Sequence, residues 1–313
     1  MRLGKPLLQL PIRFDAEKLA AEVNALPSSA WMPHPGGFAG NEAVPLVSPG
    51  GEQTDDFEGP MGPTEQLQRC PYIMDLMAEL DGVWGRSRLM GLAPGAVVPV
   101  HIDVHYYWRT HLRIHIPVIT NPGVLFTCNN ETVNMKAGEC WVFDSFALHY
   151  VQNKGTERRV HLVLDTVGGE KLWDLVEAAS AGAEPGPTVW EGLPAGTARR
   201  PLAYEQINRP KVMSPWEMRR HVDYVLDHAP VEEQNGPVAR QLDRFITAWH
   251  AAWAQYGTSD EGLPTYRSLI EGMRAELKAA NAHEIVLRNK QGLAFVIDAL
   301  VLWNAVSPVP AQP

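Results

Sequence analysis

The stretch VVPVHIDVHYYWRTHLRIHIPVI, residues 97–119, decides how this chain folds. Its β-branched residues Val97, Val98 and Val100 favour a strand. In a strand, side chains two positions apart share a face, so His101 and Asp103 point the same way. An imidazole nitrogen and a carboxylate oxygen could then reach one metal ion. A His-x-Asp pair alone is nevertheless common by chance, and more often marks a polar strand end.

Two later residues strengthen the metal interpretation. His149 lies in FDSFALHYVQN, at the start of another predicted strand, and Arg159 follows it in RRVHLVLD. Two histidines and one carboxylate on a β scaffold form the facial triad of iron(II) oxygenases, which leaves three coordination positions open. A 2-oxo acid fills two of these positions and O2 the third. Arg159 offers a planar, permanently charged fork for the distal carboxylate of 2-oxoglutarate.

The chain carries an ordered set of motifs over about residues 85–167: His101-x-Asp103, Arg113-Ile114-His115, Gly138-Glu139-x-Trp141, His149 and Arg159-Val160-His161-Leu162-Val163-x-Asp165. This set resembles the aspartyl/asparaginyl β-hydroxylase-like family of Fe(II)/2-oxoglutarate-dependent dioxygenases. Within that family it is most similar to the type that hydroxylates free proline in the cis position. The resemblance is specific because the metal, arginine and Gly-Glu-x-Trp signatures occur in register. It covers the last hundred residues only loosely.

The resemblance implies a set of site residues and cofactors. Fe(II) would be held by His101, Asp103 and His149. The carboxylate of 2-oxoglutarate would be bound by Arg159, with Arg113 and His115 nearby. The branch that hydroxylates aspartyl residues in epidermal-growth-factor-like domains has a glycine where this chain has Asp103. The same carboxylate argues against a halogenase, which needs that position vacant for a halide.

The pattern of short apolar runs and turns predicts the fold class. Six runs between residues 87 and 166 are separated by turn signals such as Ala93-Pro94-Gly95 and Asn121-Pro122-Gly123, which indicates an antiparallel sandwich or barrel. We therefore expect a mainly β protein with helices, whose core is a double-stranded β-helix of the jelly-roll or cupin-like kind. Helices are expected near residues 16–26 and 72–80. The stretch VPLVSPGG, residues 44–51, is interpreted as a loop.

The chain divides into three predicted segments. Residues 1–170 form the oxygenase domain, residues 171–213 a linker or arm, and residues 214–313 a helical C-terminal domain. The Pro- and Gly-rich stretch 184–201 supports the linker. Ser214-Pro215-Trp216-Glu217 has the residues of a capping box, with proline at the first helical position, and apolar residues then recur at helical spacing. We expect these helices to supply no metal ligand.

Composition limits the possible partners and location. The 313 residues carry 27 Lys+Arg against 36 Asp+Glu, a net charge of −9 that argues against a general nucleic-acid binder. The three cysteines form no CxxC pair, which is typical of reduced thiols in a cytoplasmic protein. The first residues lack the apolar core of a signal peptide, and no apolar run is long enough to span a membrane.

Three functions remain open from the sequence. The first is hydroxylation of an unactivated C–H in a small amino-acid-like molecule or short peptide, whose carboxylate Arg113, Arg109 and His115 could hold. The second is β-hydroxylation of aspartyl or asparaginyl residues in a peptide or protein. Clustered exposure of the C-terminal tryptophans would favour this second function, and their burial the first. The third is a cupin-type protein that binds a metal or ligand without turnover.

Overall fold

The computed structural model describes residues 3–34, 36–186, 188–194 and 196–307. The chain forms two compact units. The first comprises residues 1–103 and 110–208, and the second comprises residues 104–109 and 209–313. Within the described ranges, the strands of both sheets lie in the first unit, and the second unit consists mainly of helices.

The elements up to residue 153 follow in chain order. They are β1 Leu7–Arg13, α1 Ala16–Ala25, β2 Met32–Pro33, β3 Asn41–Pro49, β4 Met61–Pro63, α2 Glu65–Gln68, α3 Pro71–Leu80, β5 Val83–Leu92, β6 Val97–His101, α4 Tyr106–Thr110, β7 Leu112–Ile119, β8 Val124–Cys128, β9 Glu131–Val133, β10 Glu139–Phe143 and β11 His149–Asn153. The first unit then ends with β12 Arg159–Gly168, α5 Glu170–Ser180 and β13 Ala203–Tyr204. The two expected early helices are thus present as α1 and α3. The side chain of Asp15 caps α1 by accepting hydrogen bonds from the backbone N–H groups of Glu17 and Lys18.

Two antiparallel sheets make up the β part of the first unit. The large sheet has the order β1-β10-β7-β12-β5-β3-β2, with β4 paired to β3 and β13 paired in parallel to β5. The small sheet has the order β6-β11-β8-β9. Apolar residues of both sheets pack into one core, including Leu92 and Phe143 from the large sheet and Phe126 and Val151 from the small one. The antiparallel arrangement predicted from the apolar runs is therefore confirmed.

Two segments differ from the expectations. The stretch interpreted as a loop lies mostly in β3, whose residues Val44, Leu46 and Val47 are fully buried against neighbouring elements. That interpretation was wrong because a strand buried on both faces lacks the alternation that marks a half-exposed strand. The segment 171–213, expected to be a linker or arm, contains most of α5 and belongs to the first unit up to residue 208.

The second unit contains the helices of the C-terminal region. They are α6 Pro215–Leu226, α7 Pro237–Tyr256, α8 Leu263–Ala279 and α9 Leu293–Ile297, which a π-helical segment Asp298–Leu302 continues. The Ser214 hydroxyl accepts a hydrogen bond from the Glu217 backbone N–H at 3.2 Å, so the predicted N-terminal cap of α6 is present. Trp249 of α7 is fully buried and donates its indole N–H to the Met213 carbonyl at 2.9 Å. Across the described ranges, no helix has the length and apolar character needed to cross a membrane.

Candidate functional site

The two predicted histidine ligands are neighbours across a strand pair. β11 pairs with β6 so that His149 lies directly opposite His101, and their ring centroids are 4.2 Å apart. Asp103 follows β6, and its backbone N–H donates to the Ser145 carbonyl at 2.9 Å. One ligand atom from each of the three residues lies within 4.8 Å of the other two. In the described part of the chain, this is the one group of three such side chains that could hold a metal ion.

Hydrogen bonds to the backbone orient both imidazoles. Nδ1 of His101 lies 2.8 Å from the Pro99 carbonyl, and Nδ1 of His149 lies 2.9 Å from the Ala147 carbonyl. A carbonyl only accepts, so each Nδ1 carries the proton and each Nε2 keeps a lone pair. Metal-ligating histidines in proteins are oriented in the same way.

The distances between the histidine nitrogens and the Asp103 oxygens suit a metal ion. Nε2 of His101 is 3.9 Å from Oδ1 of Asp103, and Nε2 of His149 is 4.0 Å from Oδ2. Ligand bonds of about 2 Å place two ligand atoms at right angles about 3 Å apart, so a closure of about 1 Å would complete the site. Burial lowers the pKa of His149 to about 4, although Asp103 acts in the opposite direction. The imidazole is therefore neutral at pH 7, as a metal ligand must be. The donor set fits a divalent transition metal.

Arg159 is a buried cation with little to neutralise it. Its side chain is 3% exposed, and Nη1 makes one long hydrogen bond of 3.5 Å to the Met90 carbonyl. Among the described residues, neither Nε of Arg159 nor Nε2 of His161 has a hydrogen-bond partner. Burial lowers the pKa of Arg159 to about 9. Such a cation is strongly stabilised by an anion that binds beside it.

His115 lies between this cation and the histidine pair. Its Nδ1 is 3.5 Å from Nδ1 of His161, and its ring contacts Phe143, which in turn contacts His149. Burial, and next the charge of Arg159, hold the pKa of His115 well below its usual value. His115 and Arg159 therefore share one water-poor region on the inner face of the large sheet, where β12 pairs with β7.

Arg113 contacts two carboxylates, one of which belongs to the metal site. Nη1 donates to Oδ2 of Asp103 at 2.7 Å, while Nε and Nη2 donate to the two oxygens of Asp165 at 2.8 and 3.0 Å. The structure thus brings Arg113 to the metal-site carboxylate. Asp165 was already part of the motif Arg159–Asp165 in the sequence. The spacing of the motifs did not show, however, that Asp165 pairs with Arg113.

The Gly-Glu-x-Trp motif maintains the backbone near the site without reaching the triad. Gly138 has a φ of +78°, and a Cβ there would lie 2.2 Å from the Phe14 carbonyl oxygen. Oε2 of Glu139 accepts from the Trp141 indole at 2.9 Å and from the Lys136 backbone N–H at 2.8 Å. These contacts fix the start of β10, whose Trp141 pairs with His115 across the sheet.

Two buried arginines extend the positive charge of the same sheet. Arg86 and Arg88 of β5 both contact Asp55, with Nη1 of Arg86 3.2 Å from Oδ2. This pair was not predicted from the sequence. The sequence Trp84-Gly-Arg-Ser-Arg nevertheless contains a clue, because residues two positions apart in a strand lie on the same face, as both arginines do.

Comparison with known proteins confirms the resemblance over part of the chain. Residues 56–168 match the family model described as Aspartyl/Asparaginyl beta-hydroxylase. L-proline cis-3-hydroxylase 1 of a Streptomyces species is 26% identical over 175 residues, covering 49% of this chain and 57% of that protein. L-proline cis-4-hydroxylase of Rhizobium meliloti is 25% identical over 162 residues, covering 49% and 58%. The chain therefore spans little more than half the length of these curated relatives.

Solved structures with partial similarity include two oxygenases. An oxidoreductase of the 2OG-Fe(II) oxygenase family from Burkholderia pseudomallei is 15% identical, with a TM-score of 0.41, covering 53% of this chain and 87% of that one. A prolyl-4-hydroxylase from Pseudomonas putida is 14% identical, with a TM-score of 0.35, covering 53% and 93%.

Proposed function

We propose that this chain is a Fe(II)/2-oxoglutarate-dependent dioxygenase that hydroxylates an unactivated C–H of an amino acid or an amino-acid-derived small molecule. The observation that carries the proposal is the pair of Nε2 atoms that face Asp103 from opposite strands. The match of residues 56–168 to the hydroxylase family supports it. We further infer that the two sheets form a double-stranded β-helix.

The residues of the site would have different roles in this function. His101, Asp103 and His149 would hold Fe(II), and Arg159 would bind the distal carboxylate of 2-oxoglutarate. Bound iron, 2-oxoglutarate and O2 supply the oxidising power for C–H hydroxylation. His115 and His161, both neutral and buried, would offer hydrogen bonds without adding charge. The aromatic rings of Phe126 and Phe143, packed around His149, exclude water from this side of the site.

An anionic group on the substrate suits the charge of this region. The relatives are named for hydroxylation of L-proline, which carries a carboxylate. The inner face of the large sheet carries Arg86 and Arg88 as well as Arg159, all buried. Arg86 and Arg88 both pair with Asp55, and Nε of Arg86 also lies 3.9 Å from Oδ2 of Asp165, so a substrate carboxylate would join cations that are already partly neutralised. A free amino acid is therefore our preferred substrate class. Turnover in the cytoplasm, without nucleic acid as a partner, remains a prediction from cysteine usage and charge.

A second candidate is β-hydroxylation of aspartyl or asparaginyl residues in a peptide or protein. Exposed Trp216 and Trp303, at 64% and 62%, favour it, because large exposed apolar side chains are common in protein-binding surfaces. Trp249 is buried and therefore does not favour this second function. A non-catalytic cupin-type binder is the third candidate.

One experiment separates these candidates. The purified protein is incubated with Fe(II), ascorbate and 2-oxoglutarate, first alone and then with each amino acid and a set of Asp- and Asn-containing peptides. Succinate and a mass increase of one oxygen atom are measured. We expect succinate in every incubation and an oxygenated product from at least one free amino acid.

Two histidine variants serve as controls. His149→Ala should abolish succinate formation, whereas His283→Ala, at an exposed histidine in the second unit, should leave it unchanged. No succinate from the unaltered protein would favour the non-catalytic binder, and a product from peptides alone would favour the second candidate.

A further inference from the structure

The carboxylate of Asp103 has one oxygen in a fixed position. Oδ2 accepts a hydrogen bond of 2.7 Å from Nη1 of Arg113, in a pair that is almost fully buried. Oδ1 is the oxygen nearer to Nε2 of His101, at 3.9 Å, and Oδ2 is the oxygen nearer to Nε2 of His149, at 4.0 Å. Asp103 itself lies outside any helix or strand, so the backbone alone does not fix the orientation of the carboxylate.

Arg113 is fixed from its other side. Asp165 lies directly opposite Arg113 where β12 pairs with β7, and it accepts two hydrogen bonds from the guanidinium. The parallel arrangement of two N–H···O bonds sets the plane of the guanidinium as well as its position. Nε of Arg86 lies 3.9 Å from Oδ2 of Asp165, so a second cation helps to keep Asp165 charged. The chain Asp165–Arg113–Asp103 thus links a two-strand register to a metal-site carboxylate.

This geometry matters for how Asp103 can bind a metal. A carboxylate that chelates with both oxygens occupies two coordination positions, whereas one oxygen occupies one. A facial triad must leave three positions open for a co-substrate and O2. The hydrogen bond from Arg113 occupies one lone pair of Oδ2, which disfavours chelation by both oxygens and favours binding of the metal through one oxygen.

We propose that Asp165 and Arg113 form a positioning pair that holds Asp103 as a one-oxygen metal ligand, and that Arg113 therefore does not serve as the 2-oxoglutarate clamp. The inference rests on the proposed function for the identity of the co-substrate. It gives Arg113 a different role from the one implied by its place in the motif.

The test uses Arg113→Lys and Asp165→Asn in the full chain. Affinity for Co(II), a spectroscopic probe of the site, is measured by titration of the metal-free protein. The apparent 2-oxoglutarate constant is measured at saturating Fe(II). We expect both variants to bind Co(II) roughly 10- to 100-fold more weakly, as is typical when a group that orients a metal ligand is removed. The apparent 2-oxoglutarate constant should change by less than about 3-fold, on the same reasoning.

A matched control and a double variant sharpen the test. Asp75→Asn removes another carboxylate that pairs with an arginine of the first unit, Arg199, in an ion pair that includes none of Asp103, Arg113 and Asp165, so Co(II) affinity should be unchanged. The double variant Arg113→Lys/Asp165→Asn should bind Co(II) about as weakly as either single variant, because the two residues act as one unit. Asp165→Glu, which keeps the charge, should recover part of the Co(II) affinity.

Several outcomes would overturn the inference. It fails if Arg113→Lys raises the 2-oxoglutarate constant at saturating Fe(II) while Co(II) affinity is unaltered, which would make Arg113 the clamp. It also fails if folded Asp165→Asn, checked by circular dichroism, binds Co(II) like the unaltered protein. Absence of Co(II) binding by the unaltered protein would instead defeat the proposed function itself.

Discussion

Arg159 is the side chain on which co-substrate binding depends in the proposed function. Its guanidinium is buried, and the one hydrogen bond that it makes within the described ranges, to the Met90 carbonyl, is long. A buried cation of this kind is unfavourable until an anion joins it, which is why we propose it as the binding site for a carboxylate. Guanidinium groups remain protonated at pH 7 even when burial lowers their pKa.

Replacing Arg159 with lysine keeps the charge but removes the planar fork. We expect Arg159→Lys to raise the apparent 2-oxoglutarate constant roughly 10- to 100-fold, which corresponds to about 1.4–2.8 kcal/mol. Metal affinity should barely change. Arg158→Lys is the matched control, because the adjacent Arg158 pairs with Glu42 and stacks on Trp31. Equal effects of the two changes would show that Arg159 is not the clamp.

Asp165 links the candidate site to stability. Burial raises the pKa of this carboxyl, but Arg113, with Arg86 and Arg88, outweighs burial and holds the pKa at about 2, below the ordinary 3.8. A carboxyl whose pKa is lowered by folding stabilises the fold above the pKa of the unfolded chain. That stabilisation is lost as the pH falls from about 4 towards 2.

We therefore expect the free energy of unfolding of the metal-free protein to fall between pH 5 and pH 3, with Asp165 responsible for about 1 kcal/mol of the loss. The measurement is urea unfolding at several pH values for the unaltered protein and Asp165→Asn. The variant should be less stable at pH 5, and the difference should shrink at pH 3. A difference that grows as the pH falls would contradict the assigned direction of the pKa shift.

At the scale of elements, the junction between β1 and β10 depends on a close backbone approach. The Phe14 backbone N–H donates to the Gly138 carbonyl at 2.8 Å, and Gly138 donates to the Pro117 carbonyl at 2.9 Å. Its φ of +78° lies in the left-handed region that favours glycine. A side chain at Gly138 would meet both a conformational cost and a collision with Phe14.

We expect Gly138→Ala to lower the free energy of unfolding by about 3 kcal/mol or more. Gly182→Ala is the control, since Gly182 has a φ of +94° but open space where a Cβ would lie. It should cost only the conformational strain, about 1 kcal/mol. The measurement is chemical denaturation of both variants. Equal losses would mean that the backbone yields at Gly138 and that the close approach is not restrictive.

At the scale of the whole molecule, the second unit raises the question of substrate size. Trp216 and Trp303 are exposed on the second unit, whereas Trp249 of the same unit is fully buried. If the substrate is a free amino acid, these two side chains have no part in its recognition. If the substrate is a peptide or protein, exposed tryptophans are residue types that commonly dominate binding.

The double variant Trp216→Ala/Trp303→Ala distinguishes these cases. We expect kcat/KM for the identified free amino acid to change by less than about 2-fold, because the loss of an exposed surface side chain usually costs little. A fall of about 10-fold or more with a peptide substrate would instead support the second candidate function. The unfolding midpoint of the variant is measured alongside to exclude a loss of folded protein.

Local features of this protein could be predicted from the sequence because they depend on neighbours along the chain. The capping box at Ser214 predicted the start of α6, and the β-branched residues before His101 predicted β6. The strand β3 escaped prediction because both of its faces are buried, which removes the alternation on which such predictions rest.

The sequence by itself determined which side chains could bind a metal and a carboxylate, since His101, Asp103, His149 and Arg159 were all named from motif order and strand spacing. Only the tertiary structure decided how they meet. The register of β11 on β6 places His149 opposite His101, and the register of β12 on β7 places Asp165 opposite Arg113. Spacing along a chain reports which face a side chain occupies, whereas the partner across a sheet depends on the register of distant strands, which turns and packing set. The two carboxylates that Arg113 contacts therefore became visible only in the fold.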